Sequence, residues 1–332
     1  MTLPATVAVD VGGTKIRAGS VIDGELAHVR SVPTPATSGA QAVLDTIAEV
    51  TAAVVAEASG SHGGESAWRI GIGAAGVIDP ATGTVVSATD SLPGWAGTDL
   101  VTELSARSGL PVRVVNDVHA HALGEAAAGA SRGTRSSLLV AAGTGIGGGF
   151  ITDGHLLTGR NSAAGHVGHV PSAAASGLAC PCGGTGHVEA VASGPAILNT
   201  YRRLVDTSDS PTSAPNSVAG HEMAAPAPGN TRELAAAASA GDELALRAFD
   251  IGARALGSAL GGISNILSPE VIVVGGGLAE MDETWWAPLR EAFAAELIPA
   301  TSGTQLVKAE LGQDAALVGA ASLWNAEQRE TR

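Results

Sequence analysis

Short apolar runs that end in glycine-rich turns recur along the chain. Residues 6–15 hold one such run and turn, and residues 138–149 hold another. In both places a second apolar segment follows, then an Asp-Gly pair, at 23–24 and again at 153–154, and then a third segment. An Asp-Gly pair between apolar runs is a strong hairpin signal. The pattern predicts one three-stranded unit that occurs twice, about 130 residues apart.

Further apolar runs predict strands, and Ala-rich stretches between them predict helices. The glycine run at 143–149 is predicted to be a turn along its whole length, and 59–66 a surface loop. Residues 206–230, rich in Ser, Pro, Ala and Gly, are expected to form a mobile surface insertion. The other predicted strands are 69–74, 112–115, 271–274 and 305–310, and the predicted helices include 39–58, 98–108, 117–128, 193–205, 283–295 and a final helix from Asp314.

The composition bounds the class of protein and its partners. At 332 residues the chain is long enough for about two domains. Hydrophobic residues make up 45% but aromatic residues only 3%, so the core must be built from Ala, Val, Leu and Ile. The net charge of −14 argues against nucleic acid as a general partner. A phosphorylated ligand remains possible, because glycine loops and helix N-termini bind phosphate locally.

The sequence carries no export or membrane signal that we recognise. No basic segment followed by an apolar run stands at the N-terminus, and no apolar stretch approaches about 18 residues. We therefore expect a cytoplasmic protein, in a reducing compartment, without a membrane partner.

The first glycine turn has the residues of a phosphate site. Backbone amides of Gly12 and Gly13 can wrap phosphate oxygens, and Thr14 adds a hydroxyl. Lys15, one of only two lysines in the chain, can neutralise negative charge. Asp10 ends the preceding strand and is placed to hold Mg²⁺ through water, as Mg²⁺ is usually held beside phosphates. The alternative is a tight hairpin that needs glycine only for its conformation.

Two further glycine runs follow buried strands. Gly143 to Gly149 is either a second phosphate cradle or a flexible bend, and the repeat favours the cradle. Gly275 to Gly277 lies between a strand and a helix, which suits a nucleotide whose base and ribose rest against the backbone. Three strand-to-glycine junctions in one chain are hard to explain by turns alone.

Asp117 follows Asn116 at the end of a buried strand, where open α/β sheets place their reactive groups. A carboxylate there can accept the proton of a substrate hydroxyl as that hydroxyl attacks phosphorus. The alternative is that the Asn-Asp pair caps the following helix. Both roles are compatible, with the pair capping the helix and also facing the cleft.

One stretch in the middle of the chain contains both cysteines, three of the nine histidines and a glutamate. Thiolates and imidazoles bind Zn²⁺ well, and structural zinc takes four ligands in a tetrahedron. Cys180, Cys182 and His187 are candidate ligands on a glycine-rich backbone. The fourth is His169 or His166. The alternatives are two buried cysteines that lie near surface histidines, and a Cys-x-Cys disulfide, which would be strained.

Four motifs together resemble the ROK family of sugar kinases and repressors over essentially the whole chain. They are Asp10-x-Gly-Gly-Thr-Lys15, Asn116-Asp117, the glycine run 143–149, and His169…Cys180-x-Cys182-Gly…Glu189. The resemblance implies an α/β protein with an actin-like, ribonuclease H-like ATPase fold, in which two duplicated βββαβαβα-type domains flank a cleft. The implied domains are 1–117, completed by a C-terminal helix at about 314–332, and 118–313, which includes a zinc loop at 165–189. A homodimer is also implied.

The resemblance assigns roles to residues, with ATP, Mg²⁺ and a structural Zn²⁺ as cofactors and a sugar as substrate. Asp117 becomes the general base toward a sugar hydroxyl. The implied sugar-binding residues are Gly76, Asn116, Asp117, His166, His169 and Glu189. The implied ATP-binding residues are Asp10, Gly12, Gly13, Thr14, Lys15, Thr144, Gly145, Gly275 and Gly276. The implied zinc ligands are His169, Cys180, Cys182 and His187.

Two positions depart from the usual family pattern. His187 stands where a third cysteine is usual, and imidazole is also an acceptable zinc ligand. His166 stands where the family usually has glutamate, and an imidazole can donate to, or accept from, an acetamido group. The form Ala-Gly-His-x-Gly-His at 164–169 is similar to bacterial N-acetylmannosamine kinases, as is Pro-Thr-Pro-Ala at 33–36.

The expected activity is therefore phosphorylation of the 6-hydroxyl of N-acetylmannosamine by ATP. The alternatives are a glucokinase that tolerates His166, or an N-acetylglucosamine kinase of the same family. A sugar-responsive ROK regulator is a third alternative. Such regulators carry a helix-turn-helix ahead of the first glycine motif, whereas here a strand begins within the first ten residues. Whether His166 contacts sugar or zinc stays open.

Overall fold

A computed structural model describes residues 5–62, 67–88, 92–208 and 227–324, which form twelve strands and nine α-helices. The strands are β1 (Thr6–Val11), β2 (Lys15–Ile22), β3 (Glu25–Pro33), β4 (Arg69–Ala74), β5 (Val77–Asp79), β6 (Thr84–Ser87), β7 (Val112–Asn116), β8 (Ser136–Ala142), β9 (Ile146–Thr152), β10 (His155–Leu157), β11 (Val271–Gly275) and β12 (Gln305–Lys308). The helices are α1 (Ala40–His62), α2 (Leu100–Ser108), α3 (Asp117–Ala128), α4 (Glu189–Ala192), α5 (Gly194–Ser208), α6 (Thr231–Ser239), α7 (Glu243–Leu267), α8 (Glu283–Glu296) and α9 (Ala315–Ser322).

Two five-stranded sheets share one strand order. The first sheet runs β3-β2-β1-β4-β7, and the second runs β10-β9-β8-β11-β12. In each sheet the first three strands form antiparallel hairpins, and the other two lie parallel to the first strand. Both Asp-Gly pairs adopt left-handed turns, with φ of 51° and 86° at 23–24 and of 50° and 78° at 153–154. These features confirm the predicted repeat.

The glycine run at 143–149 is not a turn along its whole length, which corrects the prediction. Strand β9 begins at Ile146, so the last three glycines lie inside a strand. A methyl group on Gly148 would stand 2.7 Å from the Gly165 carbonyl oxygen, and one on Gly149 would stand 2.7 Å from the Ala122 side chain. These glycines allow a loop and a helix to approach the strand closely, rather than a change of direction.

Helix α1 also ends later than predicted, because it continues past residue 58 to His62. Val54 and Ala58 are both fully buried, and their spacing of one helical turn keeps the same helix face on the core. The predicted loop at 59–66 is shorter for this reason, and residues 63–66 lie outside the described residues. Of the insertion predicted at 206–230, residues 206–208 belong to α5, and 209–226 lie outside the described residues, as do 325–332.

Helices α3 and α9 cross between the two sheets with no room for side chains at the crossing. A methyl group on Gly319 would overlap the Ala120 carbonyl, and one on Gly124 would overlap the Ala315 carbonyl. Helix α9 also lies against the first sheet, where Gly71 leaves space for its backbone. The C-terminal helix therefore packs on the N-terminal sheet. The domain limits 1–117 and 118–313 remain a prediction.

Each sheet has its own core of small aliphatic residues, as the composition predicts. In the first core, Val9 and Ile72 pack with Leu44 of α1. In the second core, Val140 and Ile272 belong to one cluster with residues of the long helices α7 and α8. Within the described ranges, no helix is both long enough and apolar enough to cross a membrane.

Candidate active site

Asn116 ends strand β7 and Asp117 begins helix α3, at the carboxyl edge of the first sheet. The Asn116 side-chain oxygen accepts hydrogen bonds from the N–H groups of Val118 (2.9 Å) and His119 (3.1 Å), which caps the helix. The Asn116 amide and the Val118 N–H also donate to one Asp117 carboxylate oxygen, at 2.8 and 2.9 Å. The second carboxylate oxygen has no donor among the described residues. A helix cap and an available carboxylate therefore coexist.

Gly76 completes this edge of the sheet. Its carbonyl accepts a hydrogen bond from the Asn116 amide at 2.8 Å. Its φ of 107° lies in the region that favours glycine, and a methyl group there would stand 2.7 Å from the Ser87 carbonyl oxygen. Glycine is needed at this position because any side chain would move the carbonyl away from Asn116.

The first glycine turn is tied to the residue that follows strand β3. The Gly12 N–H donates to the Lys15 carbonyl at 3.0 Å, which closes the turn. The Thr34 hydroxyl donates to the Gly12 carbonyl at 2.7 Å, and the Thr34 N–H donates to the Thr14 carbonyl at 3.1 Å. Thr14 and Lys15 are exposed, next to the half-buried Gly13. The base of the turn is fixed while its tip remains accessible.

Asp10 lies behind this turn and close to Asp117. Burial raises the pKa of Asp10 above its ordinary value, and His121 is the strongest opposing influence on that pKa. The charge of Asp117 adds to the rise, while Arg17 and Lys15 reduce it. Val11 and Asn116 are both in register with Ala74 of β4, so Asp10 and Asp117 belong to the same edge of the sheet. A divalent cation is a suitable partner for Asp10 there.

The cationic side chains of β2 contact the segment that joins β12 to α9. Lys15 Nζ donates to Gln313 Oε1 at 2.7 Å, and Arg17 pairs with Asp314 at 2.6 Å. Arg17 also donates to the Gln313 backbone carbonyl. Lys15 therefore lies at the first turn but is already bonded, so a ligand over the turn would compete with Gln313 for it.

The second glycine turn is anchored by Glu189. The Gly143 N–H donates to the Gly145 carbonyl at 3.0 Å, and Thr144 and Gly145 are exposed. A Glu189 carboxylate oxygen accepts a hydrogen bond from the Ile146 N–H at 2.7 Å. Because Glu189 begins helix α4 directly after the cysteine–histidine stretch, this turn is connected to that stretch.

The third glycine run, residues 275–277, lines a cavity of ≈ 290 Å³. Gly276 has a φ of 87°, and a methyl group there would stand 2.8 Å from the Ala142 backbone nitrogen. The run therefore lies directly against the end of β8, at the second glycine turn. Polar side chains on the cavity wall are His121, Glu125, Glu280, Lys308 and Gln313.

Residues 164–169 form a loop against helix α3. Buried His119 donates from Nε2 to the Ala164 carbonyl at 2.9 Å. Burial lowers the pKa of His119, which favours its neutral form. His166 Nδ1 is buried and has no hydrogen-bond partner among the described residues, and its ring centroid lies 6.1 Å from that of His169. Such an atom needs a partner from a ligand or water.

Four predicted metal ligands converge, with one ligand atom from each within 4.8 Å of the others. They are His169, Cys180, Cys182 and His187. Cys182 Sγ lies 3.2 Å from His187 Nδ1, and Cys180 Sγ lies 3.7 Å from His169 Nδ1. Burial raises the pKa of the Cys180 thiol and lowers that of His169. Two sulfurs and two imidazole nitrogens fit a structural zinc site, and His166 is not part of the group.

Three polar residues of α3 were missed by the sequence analysis. They are His119, His121 and Glu125. His121 and Glu125 follow Asp117 at intervals of one helical turn, so they share the helix face of Asp117. This spacing is the signal that could have identified His121 and Glu125. Glu125 is fully buried and accepts a hydrogen bond from the Leu311 N–H at 2.8 Å, which ties α3 to the segment before α9. His119 lies on another face and has no comparable signal.

Known proteins resemble this chain along nearly its whole length. A glucokinase of Thermotoga maritima is 36% identical over 319 residues, which cover 96% of this chain and 96% of that protein. An N-acetylmannosamine kinase of Escherichia coli O1:K1 is 32% identical over 325 residues, 97% of this chain and 99% of that protein. A ROK family glucokinase from Streptomyces griseus, solved in complex with glucose and AMPPNP, matches with a TM-score of 0.74 and 34% identity, over 96% of this chain and 98% of that chain.

The structural match confirms the predicted actin-like ATPase fold. Its coverage leaves no large part of either chain unmatched, so the likeness extends to both sheets. The family comparison leads to the same result, because residues 6–327 match the ROK family. The chain belongs to the ROK family.

Proposed function

We propose that the chain is an ATP-dependent hexose kinase that converts N-acetylmannosamine to N-acetylmannosamine 6-phosphate. The observation that carries the kinase activity is the Asp117 carboxylate oxygen that has no donor among the described residues, at the same sheet edge as the exposed first glycine turn. Relatives named glucokinase and N-acetylmannosamine kinase, aligned over most of the chain, support a sugar kinase.

Asp117 is the proposed general base. Its carboxylate oxygen without a donor accepts the proton of the sugar 6-hydroxyl while that hydroxyl oxygen attacks the γ-phosphorus of ATP. The new O–P bond forms as the bond from the γ-phosphorus to the β,γ-bridging oxygen breaks, and ADP leaves with the electron pair. Hydrogen bonds from Asn116 and Val118 to the other carboxylate oxygen fix the direction of the base.

The nucleotide is proposed to lie across the three glycine runs. The exposed tips of the first two turns provide backbone amides, hydroxyls and Lys15 for the phosphates, and the third run supports the adenosine. The proposed nucleotide-binding residues are Asp10, Gly12, Gly13, Thr14, Lys15, Thr144, Gly145, Gly275 and Gly276. Asp10 would hold Mg²⁺ through water, and the ion would neutralise charge on the phosphates.

The sugar is proposed to lie between Asp117 and the loop at 164–169. The proposed contacts are Gly76, Asn116, Asp117, His166, His169 and Glu189. His169 presents Nδ1 to Cys180, which leaves Nε2 for a sugar hydroxyl. Glu189 holds Ile146 through one carboxylate oxygen, which leaves the other for a second hydroxyl.

His166 is the proposed determinant of the sugar. Its Nδ1 is buried without a partner, so a sugar that supplies one is favoured. A buried polar atom left unpaired costs about 1–3 kcal/mol. An acetamido group can donate to, or accept from, an imidazole, whereas a carboxylate here would instead accept from two hydroxyls. The imidazole therefore favours N-acetylmannosamine over glucose.

Glucokinase activity is the second candidate. The observation in its favour is the 36% identity to the Thermotoga maritima glucokinase, against 32% to the Escherichia coli N-acetylmannosamine kinase. In that case His166 is a variant that glucose tolerates, and its Nδ1 is satisfied by water.

An ADP-coupled assay on the purified, zinc-replete protein separates the candidates. We expect the highest kcat/KM for N-acetylmannosamine, compared with glucose, N-acetylglucosamine and mannose. Asp117→Asn is expected to lower kcat about 10²–10⁴-fold while sugar binding, measured by calorimetry, persists. His166→Glu is expected to move the preference toward glucose. The matched control His155→Glu changes an exposed histidine and should leave the preference unchanged.

Two outcomes would contradict the proposal. Preference of the wild type for glucose, with no effect of His166→Glu, would assign glucokinase activity. Binding of a hexose without turnover of any of the four would exclude a kinase and support a sugar-responsive regulator. The predicted homodimer is tested separately. Light scattering measures the molar mass in solution, which should be twice that of one chain.

We also propose a structural zinc ion held by His169, Cys180, Cys182 and His187. It would fix the loop that carries His169 and the start of α4, where Glu189 lies. We expect one zinc per chain by mass spectrometry of the metal, and loss of that zinc with a lower thermal midpoint in Cys182→Ser. A wild type that takes up no zinc when zinc is supplied would refute this site.

A further inference from the structure

His121 of helix α3 has one ring nitrogen engaged and the other free. Its Nδ1–H donates to the Asp117 backbone carbonyl at 2.9 Å, which orients the ring one turn after Asp117. No hydrogen-bond partner of Nε2 exists in the part of the chain that the structure describes. The half-buried ring forms part of the wall of the cavity beside Gly275–Gly277. Its free nitrogen is therefore available to a ligand.

The charges around this ring indicate what kind of ligand it meets. Asp10 of β1 lies within electrostatic range of the His121 ring. Among the side chains that act on the pKa of Asp10, His121 has the strongest effect. Lys15 of β2 also acts on Asp10, and it holds Gln313 on the same cavity wall. A region bordered by two carboxylates and by cationic groups suits a polyanion that arrives with a divalent cation.

We propose that His121 is a further nucleotide-contacting residue, whose Nε2 donates a hydrogen bond to a polyphosphate oxygen of the nucleotide. The inference rests on the proposed binding of ATP in this cleft. Because Nδ1 is engaged with the Asp117 carbonyl, Nε2 is the ring atom left to meet a phosphate on the cavity wall. The bond from Nδ1 to the Asp117 carbonyl joins this contact to the backbone of the proposed base.

Two amide substitutions separate the two ring nitrogens. The amide nitrogen of glutamine reaches the position of Nε2, whereas that of asparagine reaches the position of Nδ1. Titration of each variant with MgADP in a calorimeter measures nucleotide affinity without turnover. We expect His121→Ala and His121→Asn to weaken MgADP binding about 10–100-fold, as loss of a hydrogen bond to a charged group does. His121→Gln should recover most of that affinity.

The opposite pattern would overturn the proposal. If His121 only positions Asp117, His121→Asn recovers function, His121→Gln does not, and kcat falls while MgADP affinity and the KM for ATP stay unchanged. His155→Ala is the matched control, because His155 Nδ1 makes the same bond to the Asp153 carbonyl at 2.9 Å on the surface. It should leave MgADP affinity unchanged.

The MgADP titration also distinguishes failure of this proposal from failure of the proposed kinase activity. A wild type that binds MgADP but phosphorylates no hexose contradicts the kinase, and the three variants still decide the role of His121. A wild type that binds no MgADP overturns both. Titration of each variant with N-acetylmannosamine checks the fold. If the variants unfold, the ¹⁵N-histidine spectrum of the wild type decides, because MgADP must shift the His121 Nε2 signal.

Discussion

The hairpins β1–β2 and β8–β9 pair alike at their ends but differ in turn length and in chemistry. Residues 12–15 join the paired ends in the first hairpin, and only 143–145 do so in the second. In both hairpins, the last residue of the first strand pairs with an isoleucine of the second strand: Val11 with Ile16, and Ala142 with Ile146. The next pair is Asp10 with Arg17 in the first hairpin, and Ala141 with Gly147 in the second. The repeat therefore keeps the pairing of the strands, with charge concentrated in the first copy and close backbone contact in the second.

The anchors of the two turns differ as well. The first turn is held by the neutral hydroxyl of Thr34, which follows β3 in the same sheet. The second turn is held by the carboxylate of Glu189, whose charge also acts on His169. A movement of the cysteine–histidine loop would therefore reach the second turn directly and leave the first unchanged.

Removing the charge of the first hairpin should have the largest effect. Asp10→Asn is expected to lower kcat about 10–100-fold, as loss of a residue that orients a metal ion does. Because burial raises the pKa of Asp10 above 3.8, the folded state favours the protonated form, and that stabilisation is lost as pH rises through the raised pKa. Asp10→Asn should therefore raise the thermal midpoint at pH 7.

The control for this variant lies at the other end of the same hairpin. Asp23→Asn removes one charge from an exposed turn whose φ of 51° asparagine tolerates, so kcat and midpoint should not change. If Asp10→Asn kept full activity, the charge of the first hairpin would not be needed for activity.

Close contact in the second hairpin is expected to have the next largest effect. In Gly148→Ala the new methyl would lie 2.7 Å from the Gly165 carbonyl oxygen, so backbone must move. In the matched variant Gly19→Ala the nearest atom is the end of the Leu26 side chain at 2.8 Å, which can rotate. Urea unfolding should show a loss of about 2–3 kcal/mol for Gly148→Ala and about 1 kcal/mol or less for Gly19→Ala. Equal losses would contradict the difference between the copies.

The smallest effect is expected from His119, which packs beside β9 and holds the loop at 164–169. Its pKa is lowered by burial, so the unfolded chain binds a proton below pH 6.5 that the folded chain does not. Stability should therefore fall with pH from about 6.5 down to the lowered pKa, and this part of the slope should vanish in His119→Asn. Exposed His155→Asn is the control, and identical slopes in wild type and His119→Asn would argue against a buried neutral His119.

Local patterns were enough to predict the repeat and the position of Asp117 directly after a strand. Apolar runs, Asp-Gly pairs and the position of Asp117 after a strand are all features of neighbouring residues. The density of cysteine and histidine likewise predicted the group that the structure brings within 4.8 Å.

Features that depend on distant partners were not predictable. Whether a glycine turns the chain or admits a neighbour depends on that neighbour, so the sequence predicts a turn at Gly148 although it lies in a strand against Gly165. Glu125 is a similar case in one respect: its spacing from Asp117 indicates its helix face, but its partner Leu311 lies 186 residues later in the chain. Its burial could not be read from the surrounding helix.

The distribution of amines over this protein has a practical consequence. The sequence holds two lysines, and both belong to the cleft: Lys308 lines the cavity, and Lys15 holds Gln313 on its wall. Acylating and cross-linking reagents react with lysine amines and spare arginine. Apart from the N-terminal amine, such reagents would mark only the cleft. A peptide map after brief acetylation would thus report occupancy of the cleft directly, without a turnover assay.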